Sequence, residues 1–507
     1  MKTTASVKIF CLLTVVFLCT VVMRLPTLNR PLSKHHEFTT AFILRIQQIW
    51  WEQGAGNFHF NPVMNYGGAS NKYINNQTFS DFDEGGNSYY ISYPPGAYLL
   101  PYAFFKMLNI YPDVLPIEIY NLILQFVGGL FLFLIFRIMI DRNSNQLKNI
   151  LPVVAAIFYW TSPCMLWFYS NVYMVDMPAA VLMIASIYFL LKWKSDHRII
   201  WLILLGANVF LMTYTEYLGI TFCMSVTLYL WVNRKEIKPW FAAIAVLFFT
   251  SSAAIILTAY QYSLIKGWDY YKWFFSQRYS ARSGYHINGG TAEHLKTILN
   301  DWLLIGQNYL IGFMPIIFLI LGLFIISKFK TTVQKTDSIN IKSASILFML
   351  PVLLHHVIFL DASLYDFFVV KAAPFIVLIF VWFAIGLQLN QKAIVLAIAI
   401  SVILNFTIYF YINRPGKISQ SGDEYDSFNE QGNFIIQHTS KSDVVFLKDI
   451  SDEPQLVFYA KKNLRTIQTN SDAISFLKQH HLSSGKIFSY NSSHQIILDT
   501  VINVAEK

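Results

Sequence analysis

Chemistry in this chain concentrates in four polar groups set among long apolar runs. The first is His35-His36-Glu37. A carboxylate there reads either as a solvated loop charge or helix cap, or as a general base tuned by partial desolvation at a membrane surface. The second is Asp176, within Asn171-Val172-Tyr173-Met174-Val175-Asp176-Met177-Pro178, where an apolar run begins. It either caps a helix or does chemistry, because acids in or beside membrane spans are functional candidates by default. The third is Arg278, Arg282, Glu293 and His294, behind the aromatics Trp268, Tyr270, Tyr271 and Trp273. Such a cluster holds a phosphate at a membrane surface or meets anionic headgroups. His294 is the candidate metal ligand, although a lone histidine also reads as a helix-cap or surface residue. The fourth is His355-His356, Asp361, Tyr365-Asp366 and Lys371-Ala372-Ala373-Pro374. A lysine inside an apolar run is costly unless it snorkels or meets an anion, so Lys371 is expected to contact a phosphate.

The elements that must position these groups are membrane helices. Of 507 residues, 55% are hydrophobic and 17% aromatic but only 13% charged, the balance of a polytopic membrane protein. The net charge of +9 comes from Lys and Arg in short loops, which argues against nucleic acid as a partner and for membrane orientation. Cys11, Cys19, Cys164 and Cys223 lie in or beside apolar runs without metal or redox spacing. The run from Val7 to Met23 lacks a small-residue cleavage site after it and is expected to stay as an uncleaved span.

Eleven runs are candidate spans, at approximately 7–23, 116–140, 149–165, 174–191, 199–215, 216–232, 239–262, 308–327, 343–360, 367–388 and 393–412. With a cytoplasmic N-terminus, every short basic loop falls on the cytoplasmic side. The loops 24–115 and 263–307, the turn near Asp361 and the C-terminal tail then share the outer face. Phe38 to Gln53 reads as an amphipathic helix with Trp50-Trp51 at the lipid–water interface, and Glu37 would sit at its start. Pro95 suits the first turn of a second juxtamembrane helix to Leu108, and Thr291 to Gly306 reads as a third. Residues 1–412 are expected to form the transmembrane domain and 413–507 a small α/β domain. Strands are expected at Phe434–Ile436, Val444–Leu447, Gln455–Tyr459 and Lys486–Tyr490, with a helix at Ser471–His480.

In order, an acid in the first outer loop, Tyr93-Pro94-Pro95, the Asn171 to Pro178 segment, the basic and aromatic loop and Lys371-Ala372-Ala373-Pro374 resemble the GT-C-type glycosyltransferases. Within these the chain is most similar to the group of protein O-mannosyltransferases and lipid A aminoarabinose transferase. The resemblance implies a mostly helical polytopic fold. It also implies transfer of a sugar, usually with inversion, from a polyprenyl-phosphate donor to a lipid, glycan or protein acceptor on the non-cytoplasmic face. It makes Glu37 the base, gives Asp176 the task of helping to position acceptor or base, puts Arg278, Arg282 and Lys371 on the donor phosphate, and leaves His36, Tyr93 and Tyr365 to bind substrate. It favours a bacterial inner membrane with the active site and tail on the periplasmic side. His36-Glu37 stands where the family often has Asp-Glu, and Ser92-Tyr93 where some members carry an acid that binds a divalent metal with a histidine such as His294. A transporter or flippase is the competing class. It would show broken spans in matching halves and ionisable groups near the membrane midplane.

Overall fold

The computed structural model describes residues 2–33, 36–74, 81–140, 147, 149–284, 291–329, 340–411, 424–492 and 495–504, apart from the side chains of 2–6, 291–295 and 424–426. All eleven apolar runs are largely helical. Among the described residues, seven helices are long and apolar enough to cross a membrane: Val7–Thr27, Val114–Ile140, Asp176–Asp196, Trp240–Lys266, Lys296–Phe329, Asp366–Gly386 and Gln391–Tyr411. Two further runs are bent pairs, Leu151–Thr161 with Pro163–Asn171 (54°) and Ile341–Phe348 with Leu350–Ile358 (41°). Pro163 and Pro351 open the second half of each pair, where the missing N–H and the ring clash break the preceding helix. Ile199–Thr215 and Leu218–Val232 are shorter apolar helices separated at Glu216-Tyr217. By length and composition, seven segments among the described residues can cross a membrane, or up to nine if each bent pair is one span. The third juxtamembrane segment, residues 291–306, is helical, and a kink at Phe313, two residues before Pro315, divides Thr291–Phe329 into two helices.

The chain packs as two units. The first comprises Met1–Leu28, Ile119–Thr258 and Phe275–Arg414. Its spans approach closely where Gly128 and Gly129 leave room for the rings of Tyr159 and Trp160. The Trp160 indole then donates to the Gln125 carbonyl at 3.0 Å. Arg24 is also buried in this unit, donating to Gln125 Oε1 (2.9 Å) and Ser170 Oγ (3.1 Å).

The second unit comprises Asn29–Glu118, Ala259–Phe274 and Pro415–Lys507. Its helix Glu37–Gln53 begins where expected but differs in environment. It is buried along nearly its whole length, and Trp50 is a core residue whose indole donates to the Asn61 carbonyl at 3.0 Å. Thr39, Thr40, Gln47 and Gln48 are buried with it, so the polar face implied by the sequence meets protein rather than water.

The C-terminal part of this unit is a four-stranded sheet. β1 (Val444–Lys448) lies between and parallel to β2 (Leu464–Ile467) and β3 (Ser484–Tyr490), and β4 (Ile496–Asn503) closes antiparallel on β3. Val444, Phe446, Ile467, Phe476, Leu477 and Ile487 form its core against the helix Asn470–Gln479. Two expected strands are helices. Phe434–Ile436 lies within Glu424–His438, where Phe428, Gly432 and Ile435 are buried at helical spacing. Gln455–Tyr459 lies within Pro454–Ala460, because Pro454 is preset for a first helical turn. β2 and β4, with their alternating or interrupted apolar residues, were not expected.

Candidate functional site

In the second unit the chemistry gathers at Glu37. Arg30 reaches both of its carboxylate oxygens in a two-pronged ion pair, and the Ser33 amide donates to Oε2. A left-handed turn at His36 (φ 55°) precedes the helix and lets Glu37 face back over residues 30–33. The strained conformation is uncommon outside glycine and is held here by Thr39, whose amide and hydroxyl both donate to the His36 carbonyl. Glu37 is fully buried while Arg30 retains a small exposed area. Glu118, whose carboxylate accepts from the Asn29 amide at 2.7 Å, acts electrostatically on both members of the pair. His36 is half-buried against the edge of Phe38. Tyr93 is also half-buried, its carbonyl accepting from the Tyr262 hydroxyl. Lys34 and His35 lie outside the described residues.

In the first unit a second set of charges meets. Asp176 opens the helix Asp176–Asp196, Glu216 lies at the break between Ile199–Thr215 and Leu218–Val232, His355 closes the helix ending at Ile358, and Lys371 lies in the turn leading to Pro374. The Lys371 ammonium stands 2.5 Å from Asp176 Oδ1, 3.1 Å from His355 Nε2 and 3.8 Å from Glu216 Oε2. His355 is in turn 3.3 Å from Glu216 Oε1, and the ring of Phe368 lies 3.8 Å from Lys371 Nζ. All four side chains are at most 2% exposed. The sequence leads one to expect Lys371 open to a phosphate. In the structure its ammonium is buried and meets two carboxylates. The next imidazole, His356, takes a separate partner in the Tyr309 hydroxyl at 2.7 Å.

Arg278 and Arg282 lie one turn apart on the helix Trp268–Ser283, both half-buried, and the charge of Arg282 is felt at Glu216 and His355. Tyr365 is 44% exposed and stacks on Phe367 at 5.2 Å. The structure thus brings Asp176 and Lys371 together and adds Glu216 and His355. Arg30 and Glu118, absent from the sequence expectation, flank Glu37. An acid between two apolar helices, as at Glu216, and an acid inside one, as at Glu118, were the available signals.

Among the described residues no three His, Cys, Asp or Glu side chains are placed to hold a metal ion. The His294 side chain lies outside the described residues.

No protein-family model matches the sequence, and no curated protein matches it significantly. Solved structures do match. ArnT from Cupriavidus metallidurans bound to undecaprenyl phosphate aligns over 97% of this chain and 94% of its own, with 12% identity and a TM-score of 0.59. The Archaeoglobus fulgidus oligosaccharyltransferase tethered to an acceptor peptide aligns over 98% of this chain and 74% of its own, with 11% identity and a TM-score of 0.56. The same archaeal enzyme, AglB, in complex with an inhibitory peptide and a dolichol-phosphate gives 10% identity, the same coverages and a TM-score of 0.54. At such identities the likeness is one of fold, and against ArnT it is near complete in length: the chain shares the polytopic fold of ArnT and of the archaeal oligosaccharyltransferase.

Proposed function

We propose that this chain is a membrane glycosyltransferase that moves a sugar, with inversion, from a polyprenyl-phosphate donor to a lipid, glycan or protein acceptor on the non-cytoplasmic face. The observation that supports this most is the fold shared end to end with a transferase bound to undecaprenyl phosphate. In the proposed step an acceptor hydroxyl or amine attacks the anomeric carbon from the side opposite the phosphate. The new bond forms as the carbon–oxygen bond to the carrier breaks, and the electron pair leaves on the phosphate. Glu37 takes the acceptor proton, its carboxylate already oriented by Arg30 and Ser33. Arg278 and Arg282 offset the charge developing on the departing phosphate, as planar guanidinium groups suit phosphate oxygens. Asp176 and Lys371 serve differently from the sequence expectation. With Glu216 and His355 they form a buried cluster that fixes the ends of their helices.

Two bent helix pairs and buried ionisable groups also suit a transporter. The placement of the charges favours the enzyme, since Asp176 begins its helix and Glu216 lies between two helices. Both are therefore at the ends of apolar segments rather than at their middles.

The test is mass spectrometry of polyprenyl-phosphate lipids from cells with the intact protein, a deletion, or Glu37→Gln. One glycosylated polyprenyl phosphate is expected to accumulate in both altered strains. Accumulation on deletion alone would remove Glu37 as the base, and an unchanged lipid pool in both would sink the transferase reading.

A further inference from the structure

We infer that the C-terminal domain is a positioning element for Glu37, acting through Gln455 and Tyr459. The inference rests on the role proposed above for Glu37 and gives the domain a task in the same reaction.

The argument starts from the short stretch that holds the carboxylate. Residues 30–33 have no regular secondary structure, yet Leu32 and Ser33 are buried. Buried backbone amides and carbonyls must find partners, and an irregular segment has none of its own to offer. The C-terminal domain supplies them. The Tyr459 hydroxyl accepts from the Leu32 amide at 2.7 Å, and Gln455 Nε2 donates to the Ser33 carbonyl at 2.6 Å. Between these two groups lies the Ser33 amide, which donates to Glu37. Three backbone groups along two adjacent residues are thus held, the outer two by the domain and the middle one by the carboxylate.

The two side chains are built for this grip. Gln455 and Tyr459 are four residues apart on Pro454–Ala460 and so share a helix face. That helix packs on Glu37–Gln53, the helix Glu37 begins. On another side Gly432 of Glu424–His438 comes so close that a Cβ would strike the Tyr459 stem and backbone. Tyr459 is therefore braced from behind. Burial raises its phenol above the ordinary value, and the charges of Arg30 and Glu37 are both felt there. A neutral phenol remains available as an acceptor for Leu32.

The consequence is a division of labour within the unit. Arg30 and Ser33 set the direction of the carboxylate, and the domain sets the position of the segment carrying Arg30 and Ser33. Gln455 and Tyr459 touch no reacting atom in this scheme. Their effect must pass through the backbone of residues 32–33.

The experiment uses the full-length protein in lipid nanodiscs with Tyr459→Phe, Gln455→Leu and the double variant, each close in shape to the native side chain. Hydrogen exchange is read in peptides covering residues 29–37 and, as a control for folding, in β1 to β4. The expected result is exchange at least about tenfold faster in the 29–37 peptides of the double variant, with the strands unchanged. Turnover is then measured as consumption of the glycosylated polyprenyl phosphate purified from deletion cells, with a membrane fraction of the same deletion cells supplying the unmodified acceptor. The expected kcat is about tenfold lower, with KM for that lipid within about twofold, because orientation rather than binding is lost. Unchanged exchange in residues 29–37 overturns the inference, as does faster exchange with unchanged kcat. Should the intact protein fail to consume the lipid, the transferase reading fails by itself. Exchange then decides alone whether the domain holds this segment, with Glu37→Leu, which has no acceptor, as the reference for losing the Ser33 contact. Should a variant lose strand protection, the single substitution that retains it decides.

Discussion

The two units assemble buried charge in opposite ways. Glu37 takes its partners from its own neighbourhood, with Arg30 seven residues away and Ser33 four. Lys371 takes Asp176, Glu216 and His355 from three other helix ends. The first arrangement is a folded loop that a distant helix braces. The second exists only when the spans are packed, so its charges are part of what packing must satisfy. Breaking the first should chiefly cost orientation of one side chain, while breaking the second should cost the fold of the unit.

The largest effect is therefore expected from Lys371→Met. It leaves Asp176 and Glu216 buried without their cation, a loss of about 3–5 kcal/mol for a buried pair deprived of one partner. Thermal unfolding of the detergent-solubilised protein reads it directly. Asp176→Asn added to Lys371→Met should recover part of the loss, because the two substitutions act on one interaction and cannot be additive. Strictly additive losses would mean that the four groups do not form one block. Arg30→Lys is the matching change in the second unit. It keeps a charge but loses the two-pronged contact with Glu37. The expected stability change is about 1 kcal/mol, beside a roughly tenfold fall in turnover. A thermal loss equal to that of Lys371→Met would break the contrast between the units.

The same contrast explains what the sequence made legible. Helices in the first unit are announced by runs of apolar residues, a local and redundant signal, and each of the eleven runs contains helix. Glu37 stood out because it begins a patterned helix beside a cluster of histidines. The pairing of Lys371 with Asp176 was hidden: a lysine inside an apolar run calls for an anion, but only tertiary packing shows that Asp176 is placed beside it. Glu37–Gln53 was misread for the opposite reason. Its Thr and Gln residues look solvent-facing, but buried Gln47 and Gln48 are paired with the Tyr98 and Pro112 carbonyls. The C-terminal domain was the least legible part, as short apolar triplets such as Phe434–Ile436 fit a strand or a helix equally and only longer spacing decides.

The smallest expected effect concerns Asp443, a site that combines both modes of assembly. Its carboxylate accepts from the Ser440 amide three residues away (2.7 Å), and from Ser484 Oγ (2.8 Å) and Lys486 Nζ (3.2 Å) on β3. Burial by itself would raise this carboxyl, but the amide, the hydroxyls and the ammonium outweigh it and hold it down to about 2. The unfolded value is about 3.9. A depressed folded value means the stabilisation is fully present above about pH 4 and is lost as the pH falls toward 2. With solvent screening the contribution is about 1 kcal/mol. Pepsin cleavage of the full-length protein between pH 4 and pH 2 gives the readout, because pepsin is active there and the C-terminal domain opens to it. Cleavage within residues 440–490 should rise steeply over this range in the intact protein. In Asp443→Asn it should already be faster at pH 4 and rise less steeply, since an amide has no proton to gain. If the local Ser440 contact dominates, Ser484→Ala leaves the intact profile in place. If the contact across the strands dominates, Ser484→Ala reproduces the Asp443→Asn profile, and the second unit then relies on distant partners as the first one does.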